Sequence, residues 1–180
     1  MVNHISQWVI ARLLLCVDTT RYYQRTFFDR MMRIVPSIAV EAVALRWTTR
    51  GKAEIFLTQR AADESYAGLW HTPGSLLRNG ETPDDVFARL EEREFQVLIA
   101  SKTFVADVYW AEPRGWIDSR VYVVELAEDP TTLQTSKYRG KWFPVDALPE
   151  HTIPEHKARI LPVAIEHFCK KSHDTHLSSS

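Results

Sequence analysis

Two cysteines in 180 residues, Cys16 and Cys169 at opposite ends, are too few and too far apart for a disulfide framework. Charge of one sign is missing as well. The 22 Lys and Arg against 23 Asp and Glu leave a formal net charge of -1, which argues against a dedicated nucleic-acid coat protein. Long apolar runs are also absent. The best candidate, Trp8 to Val17, is too short for a bilayer, carries Arg12 in its middle and has no Lys or Arg before it. It reads as a buried helix with Arg12 reaching solvent, and Leu15 is too bulky to precede a lipoprotein cysteine at Cys16. The expected location is the cytoplasm, with no membrane partner. No internal repeat is present. What the chain does have is material for a core: 45% hydrophobic and 11% aromatic residues exclude disorder over its bulk. A chain of this length buries roughly two-thirds of its unfolded surface without needing a metal or disulfide to hold it.

Three zones follow from the patterning. Residues 1 to 36 form a helical N-terminal extension, with one apolar patch of Trp8, Leu13, Leu14 and Val17 and a second of Phe27, Phe28, Met31, Met32 and Ile34. Asp18 to Thr20 supply a break, and Pro36 ends the segment. These stripes suit packing on the domain or on a second copy in a homodimer. A nucleic-acid surface built from the arginines at 12, 21, 25, 30 and 33 is the weaker reading.

Residues 37 to 171 switch to a period of two. Ile38 to Trp47 and Ala53 to Arg60 form a hairpin around Thr48 to Lys52, and a glycine-punctuated loop follows. Thr82 caps a helix with Pro83 first and Asp84-Asp85 in its first turn, running to about Phe95. Thr103 to Trp110, Asp118 to Leu126 and Lys141 to Val145 are further strands. A last helix from near Pro154 to Lys170 bends at Pro162, and residues 172 to 180 form a polar, flexible tail. The order means a mixed α/β domain with helices packed on an antiparallel or mixed sheet.

Chemistry concentrates between Gly68 and Phe95, where a glycine-rich loop runs into a helix dense in carboxylates. That layout suits a hard divalent cation and a phosphate. Here the chain resembles the Nudix family, hydrolases of nucleoside diphosphates linked to another group, whose box reads G-x5-E-x7-R-E-U-x-E-E-x-G-U after W-x-x-P-G. Trp70-His-Thr-Pro73-Gly74 matches the lead-in, Glu81 takes the first glutamate and Arg89 the arginine. Gln59-Arg60 and Lys141 to Pro149 match flanking elements, and the likeness spans about residues 38 to 168. The resemblance implies a Nudix-like α/β/α sandwich with a mixed sheet, Mg²⁺ or Mn²⁺ as cofactor, and a nucleotide derivative as substrate.

In register, the rest of the box departs from the pattern. Ser75 replaces its first glycine, Leu90 and Arg93 replace two of the three helix glutamates, Glu91 takes the aliphatic place, and Gln96 replaces the closing glycine. Only Glu94 remains. Two functions follow. One is a divergent metal-dependent hydrolase: Glu81, Glu91 and Glu94 hold metal, Glu94, Glu91 and Arg89 form the catalytic group, and Arg60, Trp110 and Trp116 contact substrate. The other is a catalytically impaired module that binds a nucleotide-like ligand or a protein partner. Against both, the carboxylates read equally as a solvated helix face, the tryptophans as core, and Arg60 as a structural ion pair. His167, Cys169, His173 and His176 match no closed zinc module, and Cys16 reads as core rather than nucleophile.

Overall fold

Strand β1, Ser37–Trp47, is buried on both faces, as a central strand whose apolar residues run almost unbroken must be. Alternation sends Ala39, Val43 and Leu45 to one side and Val40, Ala42 and Ala44 to the other. The one acid inside this run is Glu41. The computed structural model describes residues 4–14, 16, 30–112, 115–130 and 139–177.

After β1 come β2 (Ala53–Gln59), β3 (Trp70–His71) and β4 (Gly74–Leu76), then β5 (Ile99–Glu112), β6 (Gly115–Leu126) and β7 (Arg139–Pro144). The sheet runs β3-β2-β1-β6-β5, with β4 added to β1 and β7 to β2. β1 pairs in parallel with β6 from Ser37↔Ile117 to Ala44↔Val124, and every other pairing is antiparallel, so the sheet is mixed. Along β1 the other neighbour changes: β4 lies against Ala39 to Glu41, whereas β2 lies against Leu45 to Trp47. The segment from Trp70 to Leu76 therefore crosses from β2 to β1, and Ala42 N–H donates to the Pro73 carbonyl at 2.8 Å in the crossing. This step in the sheet is where the polar site forms. The strands β3 and β4 are too short and too rich in Gly and Pro neighbours to stand out in the chain, which reads there as loop.

Helices cover both faces. α2 (Pro83–Leu90), continued by a π turn over Glu91–Phe95, packs Val86, Phe87, Leu90 and Phe95 on Val40, Ala42, Ala44 and Phe56. Each fully buried Phe or Leu there contributes about 1.5–3 kcal/mol. The start of α2 is local chemistry: Asp85 accepts from the Thr82 N–H at 2.8 Å and the Thr82 hydroxyl at 2.7 Å, and these bonds hold its carboxyl below the usual range. On the opposite face α3 (Leu161–Leu177) buries Leu161 and Ala164 beside Val43, Ile55 and Val121. Pro162 has no N–H and its ring crowds the carbonyl one turn earlier. The irregularity accordingly falls ahead of it, as a π turn at His156–Ile160 in which Leu161 N–H reaches back to the His156 carbonyl. α3 extends into the 172–180 segment that the sequence assigns to a tail.

α1 is His4–Leu14, with Trp8, Val9 and Leu13 exposed, and Met32 is buried against the α3-side core. Asp18 to Thr20, Phe27 and Phe28 lie outside the described residues. Among the described residues no helix is long and apolar enough to cross a membrane.

Candidate functional site

The step in the sheet collects six buried polar side chains, Glu41, Thr58, His71, Thr72, Ser119 and His156, and beside them Glu94, whose side chain is 9% exposed. They form two linked relays. On the α3 side Thr72 Oγ1 donates to Glu41 Oε2 at 3.1 Å, Ser119 Oγ donates to Glu41 Oε1 at 3.4 Å, and Thr72 Oγ1 lies 2.9 Å from His156 Nδ1. On the α2 side Thr58 Oγ1 donates to Glu94 Oε2 at 2.8 Å and lies 3.2 Å from His71 Nε2. A hydroxyl has one proton. With that proton committed to a carboxylate, each threonine oxygen accepts from the imidazole, which puts a proton on His156 Nδ1 and on His71 Nε2. Adjacent residues His71 and Thr72 join the two halves, and the His71 and His156 rings meet edge to face at 6.0 Å.

Burial dominates the electrostatics here. It raises both Glu41 and Glu94 to about 7, against the hydrogen bonds and the nearby Arg60, which lower them. Burial also pushes His156 down to about 3 and His71 well below its usual value, and the Arg60 charge lowers both further. Arg60 thus acts on all four groups. Its side chain is 27% exposed, Nη1 lies 3.6 Å from Glu64 Oε2, and its buried Nε has no hydrogen-bond partner.

The residues singled out in the sequence fall into separate places. Glu81 and Arg89 are together: Arg89 Nη2 donates to Glu81 Oε2 at 2.9 Å and to the Leu76 carbonyl at 3.1 Å, tying α2 to the loop before it. Glu81 also accepts from Arg78 N–H at 2.9 Å. Glu91 Oε1 accepts from Ile99 N–H at 2.7 Å, which caps the start of β5. Glu94 alone reaches the buried relay. Leu90 lies in the core and Arg93 points to solvent. Trp110 is 4% exposed in the α3-side core, whereas Trp116 is 61% exposed near the start of β6. Sequence reasoning passed over Glu41, Thr58, His71, Thr72, Ser119 and His156. Glu41 carries a signal, as the lone acid in an apolar strand, but its partners come from distant segments. Two surface grooves, of about 200 Å³ beside Trp47 and Phe168 and about 340 Å³ beside Arg46 and Trp142, contain no box residue.

The register of the box is visible in the backbone. Gln96, at the closing-glycine position, is left-handed with φ 59°, and its N–H bonds the Glu91 carbonyl. Gln96→Gly is expected to stabilise the fold by roughly 0.5–1 kcal/mol, read as a higher urea midpoint. A lower midpoint would mean that side-chain contacts of Gln96 outweigh the backbone strain.

The NUDIX domain pattern matches residues 38–164, more than half of the chain. The chain belongs to the NUDIX domain family. The NUDIX domain of Shewanella oneidensis NrtR complexed with ADP ribose is similar at 17% identity, over 88% of this chain and 97% of that one, with a TM-score of 0.60. MutT NUDIX hydrolase from Burkholderia pseudomallei is similar at 19% identity, over 72% and 98%, with a TM-score of 0.59. Shewanella oneidensis NrtR complexed with a 27mer DNA gives 19% identity and a TM-score of 0.58 over 74% of this chain. This chain spans 63% of the length of that protein. At such identities the likeness is one of fold. No curated protein sequence matches this chain.

Nudix domains generally depend on a divalent metal, and the residues present do not fit one. Among the described residues no three His, Cys, Asp or Glu side chains are grouped to hold an ion. Glu81, Glu91 and Glu94 each accept from a different protein donor instead of converging.

Proposed function

We propose that this Nudix domain binds a ligand carrying a nucleoside diphosphate and does not cleave it. The observation that carries this reading is the state of the box carboxylates. Glu94, the remaining helix glutamate, has Oε2 clasped by Thr58 beside His71 and is only 9% exposed, so it does not offer both oxygens freely to a cation. Cleavage of a diphosphate is mostly charge neutralisation and positioning of water. With two glutamates replaced and the third engaged, both contributions are lost, and rates should fall by orders of magnitude. Binding asks less of the site. Arg60 supplies a phosphate contact and Trp116, exposed where Trp110 is buried, supplies a ring face. A related domain crystallised with ADP ribose supports that class of ligand.

One observation favours the hydrolase reading: the Glu81–Arg89 brace of the box is intact at 2.9 Å. In that reading Glu94 and Glu91 hold Mg²⁺ or Mn²⁺, Glu81 supports the shell and Arg89 orients the helix carboxylates. Glu94 would have to leave Thr58, and Glu91 would have to release Ile99 N–H. The deciding assay incubates the native protein and Glu94→Gln with ADP-ribose and either metal, and measures AMP release by chromatography. The expected result is no release above buffer. Release abolished by Glu94→Gln would establish the hydrolase instead.

A further inference from the structure

We propose that this domain has exchanged the family's divalent metal for an internal guanidinium, that of Arg60, and so recognises a diphosphate without a metal ion. The inference rests on the binding reading above and adds the source of the positive charge.

The exchange is legible position by position. Where the family places its first helix glutamate, Leu90 is buried among Val86, Phe87 and Phe95. Where it places the second, Arg93 faces solvent. At the third, Glu94 accepts a hydroxyl proton from Thr58 at 2.8 Å and lies 3.7 Å from His71 Nε2. A hydroxyl and an imidazole thus occupy the near side of that carboxylate. The backbone of His71 is fixed by strand pairing opposite Thr58 across β3 and β2, so the clasp is built on the sheet.

Among the described residues, positive charge at the site then has one source. Arg60 follows the last residue of β2, its backbone held on both sides: Arg60 N–H donates to the Leu69 carbonyl at 2.9 Å, and Gly68 N–H donates to the Arg60 carbonyl at 3.0 Å. From there its charge acts on Glu41, Glu94, His71 and His156 at once, and no other Lys or Arg among the described residues acts on any two of them. A dication placed among the same groups would be repelled by a guanidinium that cannot lose its proton. Arg60 also has donor capacity to spare. Among the described residues its ion pair is to Glu64, long at 3.6 Å, and Nε is buried without a partner. The side chain is 27% exposed while Nε is buried, so the Nη donors are the edge of the planar group offered to two oxygens of a phosphate.

The test is a calorimetric titration of ADP-ribose into the full chain, once in EDTA and once in excess Mg²⁺, with Mg²⁺ and Mn²⁺ alone as separate titrants. The expected result is no metal-binding heat and an ADP-ribose affinity that agrees within about twofold between the two conditions, a difference well under 1.4 kcal/mol. Arg60→Gln and Arg60→Lys should each weaken ADP-ribose by about tenfold or more, because Lys keeps the charge and loses the fork. A stoichiometric metal site, or affinity that vanishes in EDTA, overturns the exchange and leaves the binding reading standing. Metal-free affinity that is unchanged in Arg60→Lys and Arg60→Gln assigns the charge elsewhere and also overturns it. ADP-ribose bound in neither condition removes both readings together. The comparison of EDTA with Mg²⁺ uses only native protein, so it decides even if an Arg60 variant does not fold.

Discussion

Glu41→Gln should raise the stability of the fold at pH 8 by about 1–3 kcal/mol and change it little at pH 4.5. Burial lifts Glu41 to about 7, so at pH 8 the folded protein holds a carboxylate ionised where water cannot solvate it. The unfolded chain titrates this group at its ordinary value near 4.5. Between pH 7 and 4.5 the folded state binds a proton that the unfolded state does not, so stability rises as pH falls through this window. The same holds for Glu94, also raised to about 7. The histidines act the other way. His156 and His71 stay neutral when folded and take up protons when unfolded below about 6.5, so their contribution falls with falling pH. In the native protein the two opposing pairs nearly cancel from pH 6.5 to 4.5, and stability then drops below 4.5 as the histidine pair acts alone. In Glu41→Gln/Glu94→Gln the carboxylate rise is gone and the acid loss begins near 6.5. Urea midpoints taken across pH 4 to 9 check both curves. A native midpoint that declines steadily from pH 8 to 5, or a Gln variant less stable than native at pH 8, would contradict the buried-carboxylate account.

Glu81→Ala should cost about 2–4 kcal/mol, the largest loss expected from any charged box residue, although Glu81 touches none of the relay. Its partner Arg89 is 15% exposed and Glu81 is 18% exposed, so truncation takes the facing carboxylate from a largely buried guanidinium that also donates to the Leu76 carbonyl at 3.1 Å and to Ser75 Oγ at 3.4 Å. Glu81 also receives Arg78 N–H, and the loop from Gly74 to Thr82 would lose its tie to α2 on both counts. The comparison that isolates the pair is a double-mutant cycle with Arg89→Ala. The double variant should cost clearly less than the sum of the singles, because the direct Glu81–Arg89 bond is then lost once and not counted twice. Strict additivity, with Glu81→Ala costing under about 1 kcal/mol, would mean that the pair is a solvated ornament like most surface ion pairs.

The contrast between these two results separates what is local from what is not. The start of α2 could be read directly, because Thr82, Pro83 and Asp85 satisfy one another within a single turn. The alternation of β1 and the turn at Thr48 to Lys52 are equally short in range, and Gly51 N–H closes that turn on the Thr48 carbonyl. The box positions of Glu81 and Arg89 followed from their spacing, although their pairing with each other did not, and an antiparallel or mixed sheet followed from the order of elements. The departures at Leu90, Arg93 and Gln96 were visible as letters. Their consequence was not, because it depended on which face each side chain takes after the π turn and on what lies opposite.

Fold and family were therefore set by the chain itself, through periodicity, capping and the box lead-in, all of which act over a few residues. The state of the site was decided only in three dimensions. Thr58 meets Glu94 across 36 positions, Thr72 meets Glu41 across 31 and His156 across 84. The energy that matters there is desolvation, which belongs to a location in the packed sheet and not to a residue type. The same glutamate letter is a metal ligand when its oxygens face water and a hydroxyl acceptor when the strands close over it.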